Sequence, residues 1–125
     1  TLKITDFGLT RFSAENKGPK RVKGFVPNSP TYRSPECDLP FGQLSTLCDV
    51  WALGCVYLIF VTWYLGGARS VKQFAQERLV EDEYWEYIRT DSFFVITGKR
   101  SGEPCAKVKP AVVEVSSDDS QREKR

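Results

Sequence analysis

The stretch STLCDVWALGCVYLIFVTWYLGG, residues 45–67, decides the fold. Ser45 or Thr46 is placed to cap a helix, and Asp49 falls in its first turn, where the helix dipole favours a negative charge. From Val50 to Leu65 there is no charged residue, and the helix is apolar nearly all round. Such a helix is either buried on every side or spans a membrane. The run is shorter than the ~20 residues a bilayer needs. It has no basic flank on its N-terminal side, and Gly66-Gly67 supplies a natural stop. The pattern therefore favours a central buried helix over 45–66.

Downstream, SVKQFAQERLVEDEYWEYI (70–88) mixes charge with aromatics. Phe74, Leu79, Tyr84, Trp85 and Ile88 fit one or two short amphipathic helices on the surface. TGKRSGEP (97–104) reads as a loop, and KVKPAVVEV (107–115) as the start of a helix with Pro110 in its first turn. The last residues, SSDDSQREKR, are almost wholly polar or charged, so 114–125 is expected to be a disordered tail. Upstream, residues 1–5 alternate weakly between apolar and polar, as a short strand would. Residues 13–30 are rich in Gly, Pro, Lys and Arg and read as a long surface loop, a kind of segment that is usually functional.

The 125 residues fit one domain, and 41% apolar content suffices for a modest core. Eighteen basic against sixteen acidic residues give +2, which supports no general affinity for nucleic acid or anionic lipid. Histidine is absent, which excludes histidine bases, Cys-His dyads and His-containing zinc sites. The four cysteines, Cys37, Cys48, Cys55 and Cys105, show no CxxC spacing and read as reduced thiols of an intracellular protein. No basic-then-apolar leader opens the sequence. The expected location is intracellular, cytoplasmic or nuclear.

Three blocks carry chemistry: Asp6-Phe7-Gly8, then SPTYRSPE (29–36), then STLCDVWALGC (45–55). In this order and spacing they resemble the activation segment and central helix of the eukaryotic protein kinase C-terminal lobe. The resemblance runs from Leu2 to about Gly67 and continues more loosely to Val113. ECDLP (36–40) and TWYLGG (62–67) look like stretches of kinase-domain proteins common in filamentous fungi. The implied fold is mainly α, a partial kinase-like C-terminal lobe without the N-lobe and catalytic loop. Its parts are 1–36 as activation segment, 45–66 as central buried helix and 70–113 as peripheral helices and loops.

The resemblance also implies roles. Asp6 matches the aspartate that binds the Mg²⁺ bridging the ATP phosphates, where a hard anionic oxygen is required. Phe7 would pack inward in the switch between active and inactive states, and Gly8 would give the backbone freedom to turn. Ser13, Ser29 and Thr31 are hydroxyls available for regulatory phosphorylation, against the plainer reading of a solvated loop. Ser29 stands three residues before Tyr32, where most Ser/Thr kinases carry a threonine, although Asn28 replaces the usual preceding glycine. The basic run KGPKRVKG (17–24) also allows a nuclear-localisation or anion patch. Tyr32-Arg33-Ser34-Pro35-Glu36 matches YxAPE with serine for alanine, the wall that accepts the residue after the phosphorylated hydroxyl. Glu36 would be buried against an arginine that these residues do not supply. Asp49 would anchor the lobe, with Trp51 and Gly54 as packing residues.

No GxGxxG, no VAIK-like lysine and no HRDxxxxN occurs in the 125 residues. The expectation is a fragment of an ATP-dependent Ser/Thr kinase, acting on protein substrates in its complete form and inactive as this chain. ATP and Mg²⁺ are the complete domain's cofactors, and no nucleic-acid or membrane partner is expected. The alternatives are a non-catalytic kinase-lobe remnant that docks on a partner, and a short membrane-anchored protein using residues 50–65.

Overall fold

The computed structural model describes residues 1, 3, 5, 29–82, 88–98 and 100–122. Its elements in chain order are α1 (Thr46–Arg78), β1 (Val80–Glu81), β2 (Arg89–Thr90), β3 (Phe94–Thr97), β4 (Cys105–Val108) and α2 (Pro110–Arg122). A short 3-10 turn, Pro35–Cys37, precedes α1.

α1 starts where its local chemistry says it should. The Ser45 hydroxyl accepts from the Leu47 amide at 3.2 Å, and Asp49 lies in the first turn. At Gly67 the backbone leaves helical geometry, with φ 69° and ψ −170°. Only glycine adopts that region without strain. The helix does not stop there, however. It resumes to Arg78, so the break predicted at Gly66-Gly67 is a kink. The Ser70 hydroxyl donates to the Gly66 carbonyl at 2.9 Å beside it.

The central helix is not buried as expected. Cys55 is its one buried residue before the kink, while Val50 is 63% and Tyr64 75% exposed. The reason is geometric: α2, Phe93 and Tyr32 cover one side of α1, and the described residues place nothing on the other. Thr46–Arg78 is also long and apolar enough to cross a membrane by length and composition.

Residues 70–113 are not only helices and loops. β3 and β4 form an antiparallel hairpin with Phe94 opposite Val108 and Thr97 opposite Cys105. Phe94 and Ile96 point inward and are buried, the alternation a half-covered strand requires. The loop joining them uses Gly98 and Gly102 at positive φ. β1 and β2 pair Val80 with Thr90 and Glu81 with Arg89.

The tail expected to be disordered is helical as far as Arg122, and the boundary drawn at 113/114 falls inside α2. Val112 is buried against the α1 core and Val115 packs on it, so helix begun at Pro110 propagates into the polar residues. Thr1, Lys3 and Thr5 form no strand, and Leu2 and Ile4 lie outside the described residues. The core proper is small: Cys55, Phe74, Phe93 and Val112, with Tyr32, Trp51 and Leu58 against it.

Candidate functional site

The segment from Ser29 to Asp38 is a compact double turn. The Ser29 carbonyl accepts from the amides of Tyr32 at 3.2 Å and Arg33 at 3.0 Å. Pro30 presets the first bend. Pro35 then opens the 3-10 turn, and its carbonyl accepts from Asp38 and Leu39. Ser34 is buried at 2% exposure. Arg33 Nη2 pairs with Asp38 Oδ2 at 2.8 Å. Burial nevertheless raises the Asp38 carboxyl above the usual range, with the Arg33 charge pulling it back down. Burial likewise pushes the Cys37 thiol up. Gly42 presses on this turn: a Cβ there would stand 1.9 Å from the Glu36 carbonyl oxygen.

This segment is fastened to the core by its own middle. Thr31 Oγ1 donates to Asp91 Oδ1 at 2.8 Å, and the Tyr32 ring lies 6.4 Å from that of Phe93. Beneath them, the Arg78 guanidinium sits between the rings of Phe74 and Phe93, at 4.1 and 4.2 Å. Arg78 Nε donates to the Asp91 carbonyl at 3.0 Å. Burial lowers the guanidinium's pKa, and the charge of Asp91 opposes that.

A second buried cation stands nearby. Lys109 is 1% exposed. Its Nζ donates to the Arg78 carbonyl at 2.8 Å, the Thr90 carbonyl at 2.6 Å and Thr90 Oγ1 at 3.4 Å. Its own carbonyl accepts from Val112 and Val113 at the start of α2. One residue thus ties the end of α1 and β2 through its side chain and the beginning of α2 through its carbonyl. Burial pushes its ammonium down to about 8, against the pull of Asp82 and Asp91. Asp82, 3% exposed, accepts from the Ile96 amide at 3.1 Å.

The expected site residues divide sharply. Asp6, Phe7, Gly8 and Ser13 lie outside the described residues. Ser29, Thr31, Tyr32, Pro35 and Glu36 come together in the double turn. Glu36 is half-buried, and among the described residues its carboxylate has no ion-pair partner. Asp49 is exposed at the head of α1. Trp51 packs edge-on to Phe94 at 6.0 Å, whereas Gly54 faces open space.

Among the described residues no group of three or more acidic or cysteine side chains is placed to hold a metal. Asp38, Asp82 and Asp91 are each committed to a protein donor. These residues therefore do not fit Mg²⁺ or the triphosphate it would carry, and no step through either is derived from them. A shallow groove of about 480 Å³ lies across the α1 kink, walled by Val56, Phe60 and Trp63 on one side and Ala68 and Val71 on the other. Its surface is almost wholly apolar, with Lys72 as the one charged residue in its lining.

The sequence did not mark Arg78, Asp82, Asp91 or Lys109. Each looks like an ordinary surface charge, and only tertiary burial gives it a role. Lys109 alone carried a hint, standing between Val108 and the apolar start of α2.

Comparison with known proteins places part of the chain. Over 58 residues it is 41% identical to the mitogen-activated protein kinase spm1 of Schizosaccharomyces pombe, covering 44% of this chain and 13% of that protein. It is 41% identical over 58 residues to cyclin-dependent kinase 11B of Rattus norvegicus, covering 45% and 12%. It is 46% identical over 55 residues to the meiosis induction protein kinase IME2/SME1 of Saccharomyces cerevisiae, covering 44% and 8%. The match therefore spans about an eighth or less of these relatives' own length. No protein-family model and no solved structure matches the chain.

Proposed function

We infer that this chain, a fragment of a protein kinase domain, supplies the substrate-facing wall and central helix of a serine/threonine kinase. The observation that carries this is the identity of 41–46% to such kinases over 55–58 residues. The order of parts supports it: a Tyr32–Glu36 turn, then a capped helix with Asp49 in its first turn and Trp51 packed inward.

In the whole enzyme, Tyr32–Glu36 would line the site that accepts the residue following the phosphorylated hydroxyl of a protein substrate. α1 would be the helix on which the lobe is assembled. Asp49 would reach the backbone of the catalytic loop, accepting amide hydrogen bonds. Asp6 would hold Mg²⁺, which, when bound with ATP, neutralises the charge developing on the transferred phosphoryl group. Ser13, Ser29 and Thr31 would be the regulatory hydroxyls. The phosphate-covering loop, its lysine and the catalytic base are not among these 125 residues, so the chain by itself transfers no phosphate.

Two measurements test this. The chain is incubated with Mg-ATP and a generic protein substrate, and transfer at background level is expected. The same residues are then exchanged for their counterparts in a full-length relative. Transfer to serine and threonine by the folded chimaera is expected, and its absence defeats the assignment. Robust transfer by the chain alone overturns its proposed inactivity.

The proposed location is the cytoplasm or nucleus, with protein substrates and with neither nucleic acid nor membrane as partner. The apolar run of α1, at 1.5 Å per residue, reaches about 24 Å, short of the ~30 Å hydrocarbon core. Charged Arg69 and Lys72 follow the kink directly.

A second reading, a non-catalytic lobe remnant that docks on a partner protein, is favoured by the outer face of α1. Val50, Leu53, Tyr57, Phe60 and Tyr64 recur at helical spacing and are about half exposed or more. Contiguous apolar surface of this kind marks an interaction site. Saturable binding to one partner, lost on Phe60→Asp and accompanied by no ATP binding, would support that reading over the first.

A further inference from the structure

We propose that the Thr31 hydroxyl and the Asp91 carboxylate form a phosphorylation-released latch. It holds the 29–37 segment on the core while Thr31 is unmodified and frees the segment once Oγ1 carries a phosphate. The latch rests on geometry alone. Its consequence, opening of the wall that receives substrate, rests on the kinase reading above.

The contact is directional. Thr31 Oγ1 is the donor and Asp91 Oδ1 the acceptor, at 2.8 Å, across sixty positions of sequence. A phosphothreonine oxygen has no proton to give and carries a charge of about −1.5 to −2 at neutral pH. It would therefore replace a charge-assisted hydrogen bond by repulsion between two anions at hydrogen-bond distance. Asp91 cannot easily swing aside, because Arg78 Nε holds its carbonyl and Phe93 follows two residues later in the buried core.

The neighbouring cations are held in place by other contacts, although Arg33 Nε and Arg78 Nη1 themselves have no hydrogen-bond partner. Arg33 pairs with Asp38 at 2.8 Å. Arg78 is 2% exposed, clamped between two aromatic rings. Phosphorylated loops become ordered when the new charge meets free arginines. Here the hydroxyl faces a carboxylate, so the sign is reversed. Once the hydrogen bond is gone, the Tyr32–Phe93 ring contact is what remains of the fastening at that point.

The modification needs a separate kinase and a nucleoside triphosphate. The bond between the γ-phosphorus and its bridging oxygen breaks, and the nucleoside diphosphate leaves with that electron pair. The Thr31 Oγ1–P bond forms, and the hydroxyl proton passes to that kinase's base. Thr31 is only half-buried, so opening of the latch exposes it for the transfer. The phosphate then prevents reclosure.

The test uses the full 125-residue chain carrying phosphothreonine at 31, assembled by peptide ligation at the native Cys37. Amide hydrogen exchange is read at Tyr32, Arg33 and Cys37, with the amides of α1 as internal reference. Loss of a hydrogen bond to a charged acceptor should speed exchange at those three positions roughly tenfold or more, with α1 unchanged. Adding Asp91→Asn to the phosphorylated chain should recover part of the protection. Equal or slower exchange in the phosphorylated chain overturns the proposal, since the phosphate would then have found a cation. If α1 itself loses protection, the unmodified Thr31→Val chain decides. Val keeps the shape without the donor, so exchange at Tyr32 and Arg33 should rise, and no rise overturns the latch. None of these readouts needs catalysis, so they separate failure of the latch from failure of the kinase reading.

Discussion

Raising the pH from 8 to 9 should make this protein more stable, and Lys109 is the reason. In the folded chain burial holds its ammonium at about 8, against 10.5 in the unfolded chain. Between those values the unfolded chain binds a proton that the folded chain has released, so stability rises with pH. The full shift corresponds to about 3 kcal/mol of burial penalty, at 1.36 kcal/mol per pKa unit. Linkage releases about 1 kcal/mol of it between pH 8 and 9. From about pH 8 upward a second group opposes this gain. Burial raises the Cys55 thiol from 9.0 to about 11, so the folded chain keeps a proton that the unfolded one loses. Cys55 takes back about 0.4 kcal/mol of the gain between pH 8 and 9 and roughly cancels it above pH 9, so a net rise of about 0.6 kcal/mol from these two groups falls in the window from 8 to 9. The assay is urea unfolding followed by helical circular dichroism at pH 7, 8 and 9, for the native chain and Lys109→Met. At pH 7 the variant loses the burial penalty but strands the carbonyls of Arg78 and Thr90, each at about 1–3 kcal/mol. Its stability there should change little, and the diagnostic is the slope. A native chain whose stability is flat or falling from pH 8 to 9, or a variant that keeps the rise, refutes the reasoning.

Two further substitutions probe the packing. Phe93→Ala removes a ring that is 2% exposed and stacks with Phe74, Tyr32 and the Arg78 guanidinium. It should cost about 3–5 kcal/mol in urea unfolding, and a loss below 1 kcal/mol would show that the core is centred elsewhere. Gly42→Ala sets a methyl 1.9 Å from the Glu36 carbonyl oxygen, so the loop must move. A loss of about 1–3 kcal/mol is expected, with amide exchange at Cys37 and Asp38 reporting where the shift occurs.

What was legible in the sequence was local. Ser45 and Asp49 announce the start of α1, Pro110 that of α2, and Gly66-Gly67 a break, because capping, ring closure and backbone freedom act over a few residues. Burial was not legible. Residues 50–65 say that they favour an apolar surrounding, but composition does not say whether these residues provide one. The β3–β4 hairpin was missed although Phe94-Val95-Ile96-Thr97 favours a strand and Gly98 follows it. The tail misled for the opposite reason. Its charges suggested disorder, yet a helix anchored by Val112 and Val115 extends into them. At the candidate site, the Tyr32–Glu36 block was readable as a motif. Its attachment through Thr31 to Asp91 links positions sixty apart, and no window of sequence reveals that.

The kink in α1 has a bearing on how this protein would be surveyed by mutagenesis. Gly67 has no neighbour within 4 Å of where a side chain would begin. A ranking of positions by crowding would call it expendable. Its φ of 69° is nonetheless unsuited to any residue with a Cβ. An alanine scan would thus register damage at an empty spot, and straightening the rod there would swing Phe74 and Arg78 away from Phe93, unfastening the far end of the molecule.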